Sequence, residues 1–239
     1  MELFFVFIIA AIGSFIQSAS GFGYAILAMS LWPLVIPFQS AVLVEITTAL
    51  VMVAYISFKL HKHIRFKLMI YPLIASFITS SIGIATLMSS TETFLRRILG
   101  GVLIIMAIYF IFYSEKLKIK PTRINGIIAG AVGGLLSGLL GMGGPPVAAY
   151  FLSVTDNKME YNATLQFYFL ICAIYTFGIH LVIGNITGEI IKYSIIGIVG
   201  VGIGTTTGLI LFKKLSVDII KKALCIFIMI VGFSMLIKG

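Results

Sequence analysis

Charged side chains are scarce in this sequence. Lysine, arginine, aspartate and glutamate together make up 10% of its 239 residues, whereas hydrophobic residues make up 60%. A soluble globular protein carries about 25% charged residues, and no soluble fold of this length could bury so much apolar surface. A spanning helix needs about 20 apolar residues, which leaves room for roughly eight to ten membrane segments and no sizeable soluble domain. The composition therefore predicts a polytopic membrane protein.

Sequence patterns of known catalytic and metal sites are also missing. No Ser/His/Asp set, HExxH, CxxC or P-loop occurs, so the sequence predicts no enzyme, no ATP-driven pump, no metal site and no cofactor. The two cysteines, Cys172 and Cys225, lie far apart in apolar runs and are expected to be buried free thiols. The first 20 residues lack a basic n-region, which argues against a cleaved signal peptide.

The net charge of +9 could suggest nucleic-acid binding, but its distribution indicates a membrane surface instead. The basic residues form short clusters between apolar runs, such as 59–67 and 115–123. Clusters of this kind are typical of the cytoplasmic side of a membrane protein. We therefore expect a multi-pass protein of the inner or plasma membrane that binds no nucleic acid.

The apolar runs form two similar sets, which indicates an internal duplication. Each set begins with two short runs separated by a glycine-rich break, and three runs of spanning length follow. Gly13, Gly21 and Gly23 align with Gly133, Gly141 and Gly143 at a shift of 120 residues. We divide the chain into a first membrane repeat (1–113), a cytoplasmic basic linker (114–123) and a second, inverted membrane repeat (124–239).

The basic residues also predict how each short pair is arranged. If each pair returns to its starting side, the linkers at 59–67, 114–123, 155–159 and 213–222 share one face, which then holds 13 of the 17 lysines and arginines. The positive-inside rule favours this arrangement and makes that face cytoplasmic. A returning pair could consist of two spanning helices or of a re-entrant hairpin, and the short run 144–154 has too few residues to cross a hydrocarbon core about 30 Å thick. Each repeat is therefore predicted to be a short re-entrant helical hairpin plus three transmembrane helices. The second repeat is inverted, and both termini are extracytoplasmic.

The two glycine-rich breaks are the first candidates for a binding site. They read QSASGFGYA (17–25) and SGLLGMGGPPVA (137–148). A chain leaves helical form inside a membrane only where protein or a water-filled cavity satisfies its backbone, and helix N-termini exposed there would suit an anion. Close-packing turns without a ligand are the alternative. The candidate substrate-binding residues are Gln17, Ser18, Ser20, Gly21, Phe22, Gly23, Ser137, Gly141, Met142, Gly143, Gly144 and Gln166.

Other glycines recur at a helical spacing. Gly126, Gly130, Gly134 and Gly138 recur every four residues, as do Gly200, Gly204 and Gly208 in the second repeat. Small residues at this spacing let helices approach closely in lipid. We interpret these two stripes as packing surfaces.

Glu45 is the single acidic residue well inside an apolar run. A charged acid at the centre of a membrane helix is costly and usually faces a cavity or a proton path. Burial favours its protonated form, so Glu45 is a candidate for proton coupling. A neutral carboxylic acid that only fixes helix packing is the alternative. At a shift of 121 residues its counterpart is Gln166, which with Tyr168 is an uncharged donor near the breaks.

The paired SASGFG and SGLLGMGGPP segments, each opening one half of the chain, resemble the TauE/SafE family of sulfite and organosulfonate exporters. The resemblance implies a secondary transporter that exports a small anion such as sulfite or a sulfoacetate-like compound, with alternating access as the expected mechanism and proton coupling as an option. A passive anion channel of the same architecture is the alternative. The predicted partners are the anion and the lipid bilayer, and a homodimer is left open.

Overall fold

The computed structural model describes residues 1–20, 23–112, 119–211 and 217–238, with side chains for all of these except 19, 20, 211, 217–224 and 238. All regular secondary structure in these ranges is helical, which confirms the predicted all-α class. In chain order the helices are α1 (Glu2–Ser20), α2 (Tyr24–Leu31), α3 (Phe38–Leu60), α4 (Phe66–Ser89), α5 (Glu92–Phe112), α6 (Arg123–Leu140), α7 (Gly144–Val154), α8 (Lys158–Ile183), α9 (Gly188–Leu211) and α10 (Val217–Lys238). Single 3-10 turns follow α2 and α3.

Within the described residues, six helices are long and apolar enough to cross a membrane: α3, α4, α5, α6, α8 and α9. Five of them are runs that the sequence predicted to span. The sixth, α6, is the first arm of the second predicted hairpin, and its 18 residues extend about 27 Å. Side chains of α10 are described only from residue 225, so its full length lies outside this comparison.

The lipid-facing surface is clearest on α4. Ile70, Ile74, Ile78 and Ile82 follow one another at intervals of four residues and are between 51% and 62% exposed. Side chains at this spacing lie on one face of a helix. A soluble protein rarely exposes so long an apolar face, so this row is placed to contact lipid.

The ends of the helices carry ordinary capping signals. Oγ1 of Thr122 accepts a hydrogen bond from the N–H of Asn125 at the start of α6, and the side chain of Asn157 accepts from the first N–H groups of α8. Gly141 and Gly184 end α6 and α8 with left-handed backbones, at φ 70° and 81°. Glycine takes this conformation without the steric cost that a Cβ brings.

The helices of the two halves pack against each other in a reciprocal pattern. α1 packs on α9 and α6 packs on α4, while α3 packs on α8 and α5 on α10. Exchanging each helix with its counterpart five positions along the chain leaves this set of pairs unchanged. The pattern supports the predicted duplication, and the division into inverted repeats stays a prediction.

Polar contacts define the two ends of the helical bundle. At the basic end, Arg65 pairs with Asp156 at 2.9 Å and with Glu160 at 3.0 Å, and the N–H of Ile119 donates to Oγ of Ser153. This end therefore holds the segments before α4, before α6 and before α8. The start of α6 and the end of α7, which are the termini farthest from the break between the two helices, lie at this end.

At the opposite end, the N–H of Phe38 donates to Oε1 of Glu92, and the hydroxyl of Tyr193 donates to Oε2 of Glu2 at 2.5 Å. The start of α3 therefore lies beside the start of α5, and the start of α1 lies beside the start of α9. The first pair of helices begins and ends at this end of the bundle, and the second pair begins and ends at the basic end.

Candidate functional site

A cavity of about 80 Å³ lies where the two breaks meet. Its walls come from α3, α4, α6 and α8 and from the first residues of α2 and α7. A buried water needs roughly 15 Å³ of such space, so about five waters would fill it. The cavity therefore has room for one small solute.

The second break contributes five of its predicted residues to the cavity wall. Ser137, Gly141, Met142, Gly143 and Gly144 all face the cavity. The left-handed backbone at Gly141 turns the chain out of α6 while its N–H still donates to the carbonyl oxygen of Ser137 at 2.9 Å. Met142 is completely buried and supplies an apolar wall.

Close backbone contact holds α7 against α6. A Cβ built at Gly143 would overlap the carbonyl oxygen of Gly133, and one built at Gly133 would lie 2.5 Å from Cγ2 of Val147. Gly144 is less confined, because a Cβ there would meet only Cζ of Phe169 at 3.5 Å. The requirement for glycine is therefore strict at 133 and 143 and relaxed at 144.

The amides at the start of α7 are fewer than the sequence suggested. Pro145 and Pro146 occupy the first turn and have no N–H. The N–H groups of Gly143 and Gly144 are then the donors nearest the cavity, and no hydrogen bond from either is seen within the described residues. This helix start offers an anion two adjacent backbone donors.

In the first break, Gln17 and Gly23 line the cavity together with Ala25 and Ile26 of α2. The side chain of Gln17 joins the two halves: its Oε1 accepts from the N–H of Tyr24 at 3.1 Å, and its Nε2 donates to Oε1 of Gln166 at 3.4 Å. One of the free N–H groups at the start of α2 is thus satisfied by protein.

The remaining candidates from the sequence are placed differently. Gln166 is fully buried behind Gln17 and also donates to Asn162, so it supports the cavity without lining it. Ser18 donates to the carbonyl oxygen of Ser14 at 2.7 Å and does not line the cavity. Three candidates lie outside the described part of the chain: the side chain of Ser20, and all of Gly21 and Phe22.

Glu45 lines the cavity and is only 5% exposed. It is the eighth residue of α3, about 10 Å from the start of a helix about 34 Å long. Its Oε2 lies 3.4 Å from the position that a Cβ would take at Gly141, directly beside the second break. Within the described residues, its carboxyl group makes no hydrogen bond to protein.

Several lining residues were not predicted from the sequence. They are Ser76 and Ser80 on α4, and Phe169, Cys172 and Thr176 on α8. Oγ of Ser76 donates to the carbonyl oxygen of Gly130 at 2.7 Å and hydrogen-bonds the hydroxyl of Tyr168, which also lines the cavity. These side chains lie in apolar helices with no local signal. Only the packing of α4 against α6, and of α8 against α3, α4 and α7, brings them to the site.

Among the described residues that line the cavity there is no lysine, arginine or histidine. Its polar surface consists of backbone amides, hydroxyls, the Gln17 amide and the Glu45 carboxyl group. This composition suits a solute that binds through hydrogen bonds to oxygen.

The family model described as "Sulfite exporter TauE/SafE" matches residues 6–235 of the chain. The match covers all ten helices, apart from a few residues at the start of α1 and the end of α10. Searches of the curated proteins and of the solved structures gave no match.

Proposed function

Because the chain belongs to the TauE/SafE sulfite exporter family, we propose that it exports sulfite or a short organosulfonate through the cavity between the two helix pairs. The cavity itself is the observation that carries this proposal. It lies inside an apolar helical bundle, and polar groups from both halves of the chain surround it.

Hydrogen-bond donors support binding of an anion there. An anion that enters a low-dielectric interior loses its hydration, and unpaired burial of the charge is prohibitive. No fixed cation lines the described part of the cavity. The donors are the N–H groups of Gly143 and Gly144, the amide of Gln17 and the hydroxyl of Ser137, and the positive end of each helix dipole adds to them.

The size of the cavity supports a small substrate. A volume of about 80 Å³ suits an oxyanion with a short substituent. Met142 and Phe169 form apolar walls that could contact the carbon chain of an organosulfonate. Sulfite and sulfonates present three oxygens, which matches a site whose donors arrive from several helices.

Alternating access is supported by the reciprocal packing of the halves. Transporters built from repeats commonly bind their substrate where interrupted helices meet and expose it alternately as the repeats rock. Here the two short helices, α2 and α7, each begin at the cavity and run to opposite ends of the bundle. We place the basic end in the cytoplasm of a cell-membrane protein, since Lys62, Arg65 and Arg123 lie there.

The direct test is transport by purified protein in liposomes. We expect labelled sulfite or sulfoacetate outside the vesicles to exchange for an excess of unlabelled anion inside, with transient accumulation of the label in the lumen against its own gradient. Such counterflow requires a carrier, because an open channel only dissipates a gradient. Dissipation without accumulation would favour the passive anion channel instead.

Gly144→Ala tests whether the cavity is the binding site. A Cβ at this position makes only an ordinary contact with Phe169, so folding should be preserved, but it occupies space beside the two amide donors. We expect at least about tenfold weaker anion binding, or about 1.4 kcal/mol, in a thermal-shift titration with sulfite, sulfate, sulfoacetate and taurine. The matched control is Gly178→Ala on α8, where a Cβ meets nothing within 4 Å. Equal loss in both variants would move the site elsewhere.

A further inference from the structure

We propose that the cavity binds the anion and a proton together, with the proton on Glu45, so that one proton crosses the membrane with each monovalent anion. This inference rests on the proposed function, because it assumes that the anion binds in the cavity. It adds the identity of the co-substrate, the residue that carries it, and the sign of the coupling.

The first step is the position of Glu45. Its carboxyl group and the amide donors of the second break face the same small cavity, and Oε2 lies beside Gly141, three residues from Gly144. With room for about five waters in total, an anion held by those donors lies within a few ångströms of this carboxyl group. The two sites therefore interact directly.

The second step is the charge of the surroundings. The titratable groups that face the cavity or Glu45 are Tyr24 on α2 and Tyr168 and Cys172 on α8, and all three types are neutral near pH 7 at their ordinary pKa values. The charged groups of the other helices packed on α3 lie at the ends of the bundle: Glu92, Arg96 and Arg97 on α5, Glu189 and Lys192 on α9, and Lys62 in the turn after α3. None of these lines the cavity.

The consequence follows from Coulomb's law. Two negative charges a few ångströms apart repel strongly in a poorly solvated interior, and no described cation lies beside them to offset the repulsion. A bound anion and an ionised Glu45 therefore exclude each other. Protonation removes the negative charge and adds an O–H that can donate to an anion oxygen, so the anion-bound site contains neutral Glu45.

The transported charge follows from the same step. The proton binds Oε1 or Oε2 from the side to which the cavity is open, and it leaves when the anion leaves on the other side. A monovalent sulfonate and one proton cross together without net charge. Movement is then driven by the gradients of the anion and of protons, and the membrane potential has no effect on it.

A stoichiometry of one is set by the asymmetry of the halves. At a shift of 121 residues the counterpart of Glu45 in the second half is Gln166, which is neutral and is hydrogen-bonded to Gln17 and Asn162. Glu45 is the only carboxyl group among the described residues that line the cavity. One protonatable acid therefore serves one anion site.

The experiment measures proton and anion flux together in liposomes that contain the full chain. Methanesulfonate is the probe, because its own charge does not change in the working pH range. An inward methanesulfonate gradient should acidify the lumen, with about one proton per anion, and the flux should not change when potassium and valinomycin impose a potential. Glu45→Gln should carry methanesulfonate without acidification, and its flux should now respond to the potential. Glu189→Gln, which alters an exposed acid far from the cavity, is the control and should behave like the wild type.

Binding gives a second readout that does not depend on the variant. In the wild type, the apparent affinity for methanesulfonate should fall about tenfold for each pH unit above the pKa of Glu45 in the empty site. Lumenal alkalinisation, or a wild-type flux that follows the potential without proton movement, would overturn the inference while leaving anion transport intact. If no anion in the thermal-shift series bound either protein, the proposed function would fail as well.

Discussion

The interface between α1 and α9 and the interface between α6 and α4 are both packed closely through glycines, but the glycines lie on helices that do not correspond in the two halves. In the α1–α9 interface the glycines lie on α9. A Cβ at Gly200 or Gly208 would come within 2.5 Å or 2.7 Å of a carbonyl oxygen of α1. In the α6–α4 interface the glycines lie on α6, the counterpart of α1, and Gly130 and Gly138 lie against carbonyl oxygens of α4.

This difference shows that close approach is a property of the interface and not of either helix. Only one row of Cβ atoms must be missing for two backbones to touch, so either partner can supply the glycines. Gly83 of α4 belongs to the row facing the α6 glycines, and a Cβ there would lie 2.6 Å from the carbonyl oxygen of Leu135. The interpretation of both glycine stripes as packing surfaces is confirmed.

The two helical hairpins differ more. In the second, Gly133 and Gly143 bring backbone against backbone, whereas in the first a Cβ at Gly13 would meet the ring of Tyr24 at 3.0 Å. The start of α7 carries two prolines, and the start of α2 is capped by Gln17. Within the described residues the second hairpin is therefore the tighter of the two, and the start of α7 presents its amides to the cavity more openly than the start of α2 does.

The membrane orientation of the two helix pairs gives the most decisive test of their correspondence, because the result is all-or-none. Glu2→Cys at the start of the first pair and Lys120→Cys at the start of the second, in a background with serine at Cys172 and Cys225, should react with an impermeant maleimide from opposite sides of the membrane in intact cells. Glu2→Cys should label from outside. Labelling of both from one side would contradict the proposed inversion.

The two glycine interfaces should be equally sensitive to added volume. Gly130→Ala on α6 and Gly204→Ala on α9 each place a Cβ on a backbone carbonyl oxygen of the facing helix, and overpacking of this kind costs about 1–3 kcal/mol. We expect similar decreases in the melting temperature of the purified protein. Gly202→Ala, two residues away in α9 with nothing within 4 Å, is the matched control. A large loss in only one interface would show that the two are not equivalent.

The smallest expected difference is within the hairpins. Gly133→Ala should destabilise the protein by about 1–3 kcal/mol, since Val147 and the carbonyl oxygen of Gly143 at 2.9 Å leave no room. Gly13→Ala should cost less, at about 1 kcal/mol, because a Cβ there meets the edge of the Tyr24 ring at 3.0 Å and no backbone atom closer than 3.4 Å. Thermal melts of both variants measure the order. The reverse order would mean that the first hairpin is the tighter one.

Much of the architecture was predictable from local sequence. The predicted short run 144–154 corresponds to α7 (Gly144–Val154), and the long apolar runs of the first half are α3, α4 and α5. At the second break, predicted at 137–148, α6 continues through Gly138 to Leu140 before the chain turns at Gly141. Glycine lowers helix propensity in isolation, and here the contacts with α4 stabilise the helix despite it.

The candidate site was predictable from the sequence only where the residue type or the helical pattern departs from its surroundings. Glu45 is an acid in an apolar run and the two breaks interrupt helical sequence, so each produces a signal without knowledge of its neighbours. Ser76, Ser80 and Thr176 are single small polar residues in long helices, and such residues also bond their own backbone, as Thr176 does with the carbonyl oxygen of Cys172. The local sequence does not distinguish a small polar residue that lines a cavity from one that only bonds its own helix backbone.

Composition and hydropathy by themselves determined that this is a helical membrane protein, because every backbone group in lipid must be satisfied within its own segment. The repeated breaks by themselves indicated where helices would be interrupted. Only the tertiary structure decided that Glu45, Gln17 and the amides of Gly143 and Gly144 face one small cavity. That meeting depends on which helices pack together and at what height, and those are set by contacts between residues far apart in the chain.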